Sequence, residues 1–162
     1  MKKIQNAANI KIMLTDVDGV LTDGGMYYTS KGDYMKKFYT RDGMGVTLLR
    51  KKNIPTIIVT KEKTLIVRNW ARKMSIEKIF DGVINKEKIL DKICKKYQVN
   101  FKEVGYIGDD INDIGLLKQV GFSATPNDGI IEVQNIVDYV CKNKGGKGAF
   151  REVADLILKN TF

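Results

Sequence analysis

Three stretches of this chain share one pattern, a short β-rich apolar run that stops on residues able to hold charge or phosphate. They are Ile10-Lys11-Ile12-Met13-Leu14-Thr15 before Asp16-Val17-Asp18-Gly19, Ile54-Pro55-Thr56-Ile57-Ile58-Val59 before Thr60, and Val104-Gly105-Tyr106-Ile107-Gly108 before Asp109-Asp110. Runs of this kind suit strands buried on both faces. Between and after them come helical spacings over 44–52, 64–74, 86–97, 112–119, 128–135 and 148–159, with short strands at 78–80, 122–124 and 138–140. Strands alternating with helices require crossover connections, which are right-handed and cover a parallel sheet on both faces. Ligands of such sheets bind beyond the carboxyl ends of the strands. Asp16, Asp18, Thr60, Asp109 and Asp110 all fall there.

Residues 21–41 break the alternation. The turn signals Asp23-Gly24-Gly25 and Ser30-Lys31-Gly32-Asp33 flank Met26-Tyr27-Tyr28-Thr29 and Tyr34-Met35-Lys36-Lys37-Phe38-Tyr39, which predicts an aromatic β-hairpin. The 162 residues suffice for one domain, expected over 1–162. No apolar run reaches the length of a membrane span, and the basic start Met1-Lys2-Lys3 lacks the apolar core of a signal peptide, so a cytoplasmic location is expected.

Histidine is absent, which removes imidazole bases, Ser-His-Asp and Cys-His schemes and His-ligated metals. Cys94 and Cys141 lack a paired spacing and sit among apolar neighbours, so buried packing is expected of both. Catalysis must run on carboxylates, lysines and hydroxyls. Any metal must be a hard cation held by oxygen, Mg²⁺ above all. The net charge of +9, from 28 Lys+Arg against 19 Asp+Glu, is dispersed along helices with acids between, which favours solvated faces over a nucleic-acid or membrane surface.

Asp16 and Asp18, at i and i+2, point to the same side of their strand, and Gly19 lets the backbone turn close to a ligand. An Asx-turn closing the strand explains the pair equally well. Gly108-Asp109-Asp110-Ile111-Asn112-Asp113 opens a helix, where acids favour the dipole, yet capping does not explain acids converging from two strands. Two carboxylates about 4 Å apart repel by roughly 4 kcal/mol at an effective dielectric near 20, a cost that a divalent cation removes. Thr60 can hold a phosphoryl oxygen or cap the next helix. Lys86 opens a helix against the dipole, as a residue facing an anion would.

Asp-x-Asp-Gly-Val, then Thr60, Lys86 and Gly-Asp-Asp-x-x-Asp, each in its element and in this order, resembles the haloacid dehalogenase superfamily of phosphatases. The match runs from about Ile10 to Lys159. The resemblance implies a Rossmann-like α/β fold with helices on both faces of a parallel sheet. It also implies Asp16 as nucleophile and Asp18 as general acid and then base, with Thr60 and Lys86 holding the transferring group. Mg²⁺ is then held by Asp16, the Asp18 carbonyl and Asp109, and Asp110 and Asp113 are supporting acids, the latter orienting Lys86 or a metal-bound water. Receiver domains use similar residues in a different order.

The chain has no insertion long enough for a cap domain, and the hairpin is its one decoration. Residues 15–24, 38–45 and 145–152 resemble the capless phosphatases of 3-deoxy-ulosonic acid phosphates, tetramers whose hairpins meet at the centre. That likeness implies a homotetramer with active sites shared between subunits, and substrate contacts from Thr40, Asp42, Glu62, Asn112, Lys147 and a neighbour's Lys73. Glu62 resembles the branch acting on nine-carbon ulosonate 9-phosphates. The 3-deoxy-manno-octulosonate 8-phosphate enzymes usually carry Thr-Gly-Arg at this point. Lys61, Trp70 and Lys147 depart from the group's pattern, and lysine in place of arginine gives up bidentate recognition of a carboxylate. The two other readings are a catalytically silent tetramerisation module and a nucleic-acid 3′-phosphatase. Against the first, Asp16, Asp18, Thr60, Lys86 and Asp109 all keep usable chemistry. Against the second, no basic-aromatic face is visible.

Overall fold

The computed structural model describes residues 5–160. Among them a six-stranded, wholly parallel sheet is built from β1 (Ile12–Thr15), β4 (Thr56–Val59), β5 (Lys78–Phe80), β6 (Val104–Ile107), β7 (Phe122–Thr125) and β8 (Tyr139–Val140), in the order β5-β4-β1-β6-β7-β8. β1 lies at the centre, with Leu14 opposite Ile57 of β4 on one side and opposite Tyr106 of β6 on the other. The chain leaves β1 in one direction and returns to β6 in the other, so its switch point falls at β1, where α/β sheets open a crevice for ligands.

Alternation along the central strands divides the core in two. Met13 and Ile58 face a cluster built with α1 (Thr40–Lys51), α2 (Leu65–Met74) and α6 (Ala149–Asn160). Ile12, Leu14, Ile57 and Val59 face a second cluster built with α3 (Leu90–Tyr97), α4 (Ile114–Leu117) and α5 (Ile131–Gln134). Both sheet faces are covered, as the uninterrupted apolar runs require. Cys94 and Cys141 are free thiols buried in these clusters.

Two elements differ from their expected bounds. Helix α1 starts at Thr40 rather than Met44, because its glycines permit close packing instead of breaking the turn. A Cβ on Gly45 would lie 3.2 Å from the Arg151 Cα and 3.3 Å from the Ala154 Cβ, so α1 and α6 approach there almost backbone to backbone. The hairpin pairs β2 (Tyr27–Thr29) with β3 (Gly32–Met35), two residues earlier on the return side than the aromatic pattern suggests. Gly32 takes φ of 105°, which lets Ser30-Lys31 alone make the turn. The ladder ends at Met35, and below it a single antiparallel bridge joins Thr22 to Phe38. The helices over 111–117 and 131–134 are likewise shorter than their sequence spacing implied.

The base of the hairpin is anchored by Phe38, which stacks on Trp70 of α2 at 4.5 Å between centroids and 9° between planes. Trp70 is therefore occupied inside its own subunit. Beyond that anchor Met26, Tyr28 and Tyr34 stand 66%, 63% and 71% exposed.

Filling the α1–α6 contact should be costly. Gly45→Leu is expected to lower stability by about 1–3 kcal/mol, the usual cost of overpacking. Urea unfolding checks this: a lower midpoint at an unchanged slope is the expected outcome.

Candidate active site

The ends of β1, β4 and β6 meet over a cleft of about 150 Å³ lined by Asp16, Asp18, Thr60, Lys61, Glu62, Asp109, Asp110 and Asn112. Asp16 follows β1 directly, and its backbone N–H still donates to the Ile107 carbonyl at 3.0 Å, so β6 holds its main chain. Its Oδ1 accepts from the Val17 N–H at 2.7 Å, and its Oδ2 lies 2.8 Å from the Lys86 Nζ.

Lys86 is fully buried. Its ammonium sits 2.6 Å from the Asp113 Oδ1 and 3.4 Å from the Tyr106 hydroxyl, which itself donates to Asp113. The second Asp113 oxygen accepts the N–H groups of Asp109 at 2.9 Å and Asp110 at 3.2 Å. Both oxygens of Asp113 are thus spent on holding Lys86 and the loop that carries Asp109. Tyr106 belongs to this arrangement although its sequence context reads only as a buried strand. The available signal is that a phenol in such a strand needs a partner for its hydroxyl.

Electrostatics favour a cation here. Burial pushes the Asp16 carboxyl up to about 7, with Lys86 opposing and Asp113 reinforcing the shift. Burial, then Asp16, Asp113 and Asp110, push Asp109 up to about 8. Burial works against the charge on Lys86, and Asp16 and Asp113 more than restore it. Carboxyls raised in this way lack positive charge. One oxygen of Asp16, one of Asp109 and one of Asp113 lie within 4.8 Å of one another. With Asp113 already engaged, Asp16 and Asp109 remain as ligands, and the Asp109 Oδ1 is buried without a hydrogen-bond partner. Gly19 makes room for them: a Cβ there would come within 2.0 Å of the Asp109 Oδ2. An all-oxygen set with few carboxylates fits Mg²⁺.

Asp18 is half-buried. Its Oδ1 accepts from the Lys36 Nζ at 2.6 Å, and its Oδ2 is buried without a hydrogen-bond partner. Lys36 follows β3 directly and reaches in from the hairpin with only 4% of its side chain exposed. Burial lowers its basicity, but the hydrogen bond to Asp18 and the charges of Asp18, Asp33 and Glu62 raise it overall. In the sequence, Lys36-Lys37 reads only as part of the hairpin run, and no local signal distinguishes the first lysine from the second.

The remaining expected substrate contacts lie elsewhere in the subunit. The Asp42 side chain is wholly buried in α1 and accepts the Arg151 N–H at 2.9 Å, capping α6, and it is not among the residues lining the cleft. Burial, opposed by that hydrogen bond, pushes its carboxyl up to about 6. Thr40 and Lys73 are exposed on α1 and α2, outside the cleft. Lys147 lines a separate cavity of about 520 Å³ with Tyr39, Arg41 and Arg151.

Residues 48–152 match the haloacid dehalogenase-like hydrolase family. The chain belongs to that family. It is 38% identical to the 3-deoxy-D-manno-octulosonate 8-phosphate phosphatase of Haemophilus influenzae over 96% of its own length and 86% of the relative's. The enzyme of the same name from Yersinia pestis is 36% identical over 96% and 83%. A cobalt-bound structure of the Haemophilus influenzae phosphatase superposes with a TM-score of 0.93 at 37% identity, over 96% of this chain and 91% of that one. The Moraxella catarrhalis 3-deoxy-D-manno-octulosonate 8-phosphate phosphatase, solved with a magnesium ion, a phosphate ion and a KDO molecule, superposes with a TM-score of 0.95 at 34% identity, over 99% and 92%. Membership of this group makes the chain a phosphatase, with the parallel α/β architecture of its relatives.

Metal binding is open to a direct check. Adding Mg²⁺ at a hundredfold excess over its Kd should stabilise the protein by about 2.7 kcal/mol. Asp109→Ala should abolish most of that shift. Scanning calorimetry with and without Mg²⁺ makes the comparison.

Proposed function

We propose that this chain is a Mg²⁺-dependent phosphomonoesterase that hydrolyses the phosphate of a 2-keto-3-deoxy sugar acid through an aspartyl-phosphate on Asp16. The observation that carries the reading is the Asp16 carboxylate, held by buried Lys86 beside the unpartnered Asp109 oxygen. A carboxylate in this setting is an anion next to a fixed cation, and it attacks a phosphoryl group whose charge the same surroundings neutralise.

In the first half-reaction a carboxylate oxygen of Asp16 bonds to phosphorus as the bond to the ester oxygen breaks, and Asp18 gives its proton to that oxygen. In the second, Asp18 takes a proton from water as the water oxygen attacks phosphorus, and Asp16 is released. Thr60, at the cleft, holds a non-bridging oxygen, and the Lys86 charge, 2.8 Å from the Asp16 carboxylate, offsets the charge that develops beside it. Bound Mg²⁺ supplies charge neutralisation to the phosphoryl oxygens. Its ligands are Asp16, the Asp18 carbonyl and Asp109. Asp113 fixes Lys86, and Asp110 caps the loop by accepting the Ile111 N–H at 2.7 Å.

The phosphatases named above act on an eight-carbon ulosonate 8-phosphate, and their likeness over nearly the whole chain supports that substrate. Glu62 at the cleft supports a second reading, a nine-carbon ulosonate 9-phosphate. Phosphate release from 3-deoxy-manno-octulosonate 8-phosphate, 2-keto-3-deoxynononate 9-phosphate and N-acetylneuraminate 9-phosphate separates the two. Asp16→Asn, nearly isosteric but a poor nucleophile, should lower kcat on the preferred substrate by at least about 10⁴-fold while leaving the fold intact. Retained turnover with Mg²⁺ present would overturn the covalent route.

The assembly follows from the hairpin. Met26, Tyr28 and Tyr34 form an exposed apolar surface on an isolated two-stranded ribbon, which marginal hairpins do not leave in water. The reading is a homotetramer in which hairpins pair around the axis and each subunit roofs its neighbour's cleft, Lys73 or the 145–148 loop contributing across the interface. Sedimentation at micromolar concentration should give four times 18.3 kDa, whereas a fully active monomer would sink the shared-site arrangement.

A further inference from the structure

Lys36 makes a connection that the reaction as outlined does not use. It belongs to the hairpin, outside the α/β core, yet its ammonium is nearly sealed from solvent and lies 2.6 Å from one oxygen of Asp18, with Asp33 further off at 3.9 Å. The other Asp18 oxygen is buried and without a hydrogen-bond partner, on a side chain that borders the cleft. A carboxyl with two equivalent oxygens is free to present either one. Here one is clamped.

We infer that Lys36 is a positioning residue for the acid-base step: by clamping the Asp18 Oδ1 it makes Oδ2 the oxygen that carries the proton, and it ties that choice to the placement of the hairpin. The inference rests on the proposed role of Asp18. When the ester bond breaks, the proton moves from Oδ2 to the leaving oxygen and the bonding pair stays on that oxygen. When water attacks, Oδ2 accepts the water proton. The clamp matters because proton transfer requires a heavy-atom approach of about 2.6–3.2 Å, and a carboxyl free to rotate spends much of its time outside that reach. A hairpin drawn away from the core would carry Lys36 with it and release Asp18. Pairing with other subunits would therefore affect the chemistry through a single side chain.

Leaving-group dependence tests this. Lys36→Met keeps the side chain to within one heavy atom and removes the charge; Lys36→Gln serves as a second variant if the first does not fold. Single-turnover release of the leaving group is measured at saturating Mg²⁺ from a nitrophenyl phosphate, whose phenolate departs unaided, and from alkyl phosphates, whose alkoxide needs a proton. The expected result is a loss about 10²-fold greater on the alkyl series than on the nitrophenyl ester, the range of general acid catalysis. Equal losses on both, or none, would overturn the inference. Asp18→Asn run in parallel separates the two levels. If it biases against alkyl esters and the Lys36 variants do not, Lys36 loses its role and Asp18 keeps its own. If Asp18→Asn shows no bias, the acid role of Asp18 falls, and the inference falls with it.

Discussion

A single buried ammonium, that of Lys86, holds the site together. Burying a lysine costs several kcal/mol unless charges and hydrogen bonds replace its water, and here two carboxylates and a phenol do so. The partners come from three places: Asp16 from the end of β1, Tyr106 from within β6, and Asp113 from the turn after β6. The cation therefore ties the two central strand ends into one geometry. Removing any partner would leave a buried charge partly unpaired, which costs more than the intact pair contributes.

Positive charge within the cleft is nevertheless insufficient. Lys86 balances one carboxylate, while Asp16, Asp109 and Asp113 lie close enough for their oxygens to share a ligand. The consequence is visible in Asp16 and Asp109, pushed up to about 7 and about 8. A divalent ion or protons can relieve carboxyls so placed, and protons would remove the negative charge that the proposed role of Asp16 needs. The backbone is shaped for the same density of charge. Side chains on Gly19 and Gly108 would collide with Asp109 and Asp113, so glycine at these two points lets the carboxylates lie directly against the loops.

Much of this arrangement was legible in the sequence because it is local. The central strands are unbroken apolar runs, and the cleft residues Asp16, Asp18, Thr60, Glu62, Asp109, Asp110 and Asn112 all follow strand ends. What escaped depends on distant partners or on glycine. Lys36 meets Asp18 across 18 residues, a contact that leaves no periodic trace, whereas the pairing of Lys86 with Asp113 across 27 residues was implied by the family resemblance alone. Glycine marks two shifted bounds. Gly43 lies before the expected helix start and is a packing position inside α1, and Gly32 looks like part of the turn and is the first residue of β3. The contact of Asp42 with α6 was equally hidden: in a stretch rich in family likeness it reads as a substrate contact, and nothing local shows that it accepts the N–H of Arg151, 109 residues away.

Cleft size connects the chemistry to the hairpin. About 150 Å³ is well below the roughly 300–1,000 Å³ of a pocket that encloses a small-molecule ligand. It accommodates a phosphoryl group and the first atoms beyond it. On the proposed function, a sugar acid of eight or nine carbons would extend out of the cleft past Lys61 and Glu62, and among the described residues no cap domain is present to cover it. Phosphoryl transfer in an open site would expose the proposed aspartyl-phosphate to bulk water and weaken every electrostatic contact through screening. The hairpin is the element placed to meet this need, since its outer strand surface is apolar and exposed while its base is fixed to α2 by the Phe38–Trp70 stack. A rigid base with an unsatisfied tip is what a strand pair requires if it is to build a roof from neighbouring copies. Lys36, at the junction of the two, then connects the roof to the carboxyl beneath it.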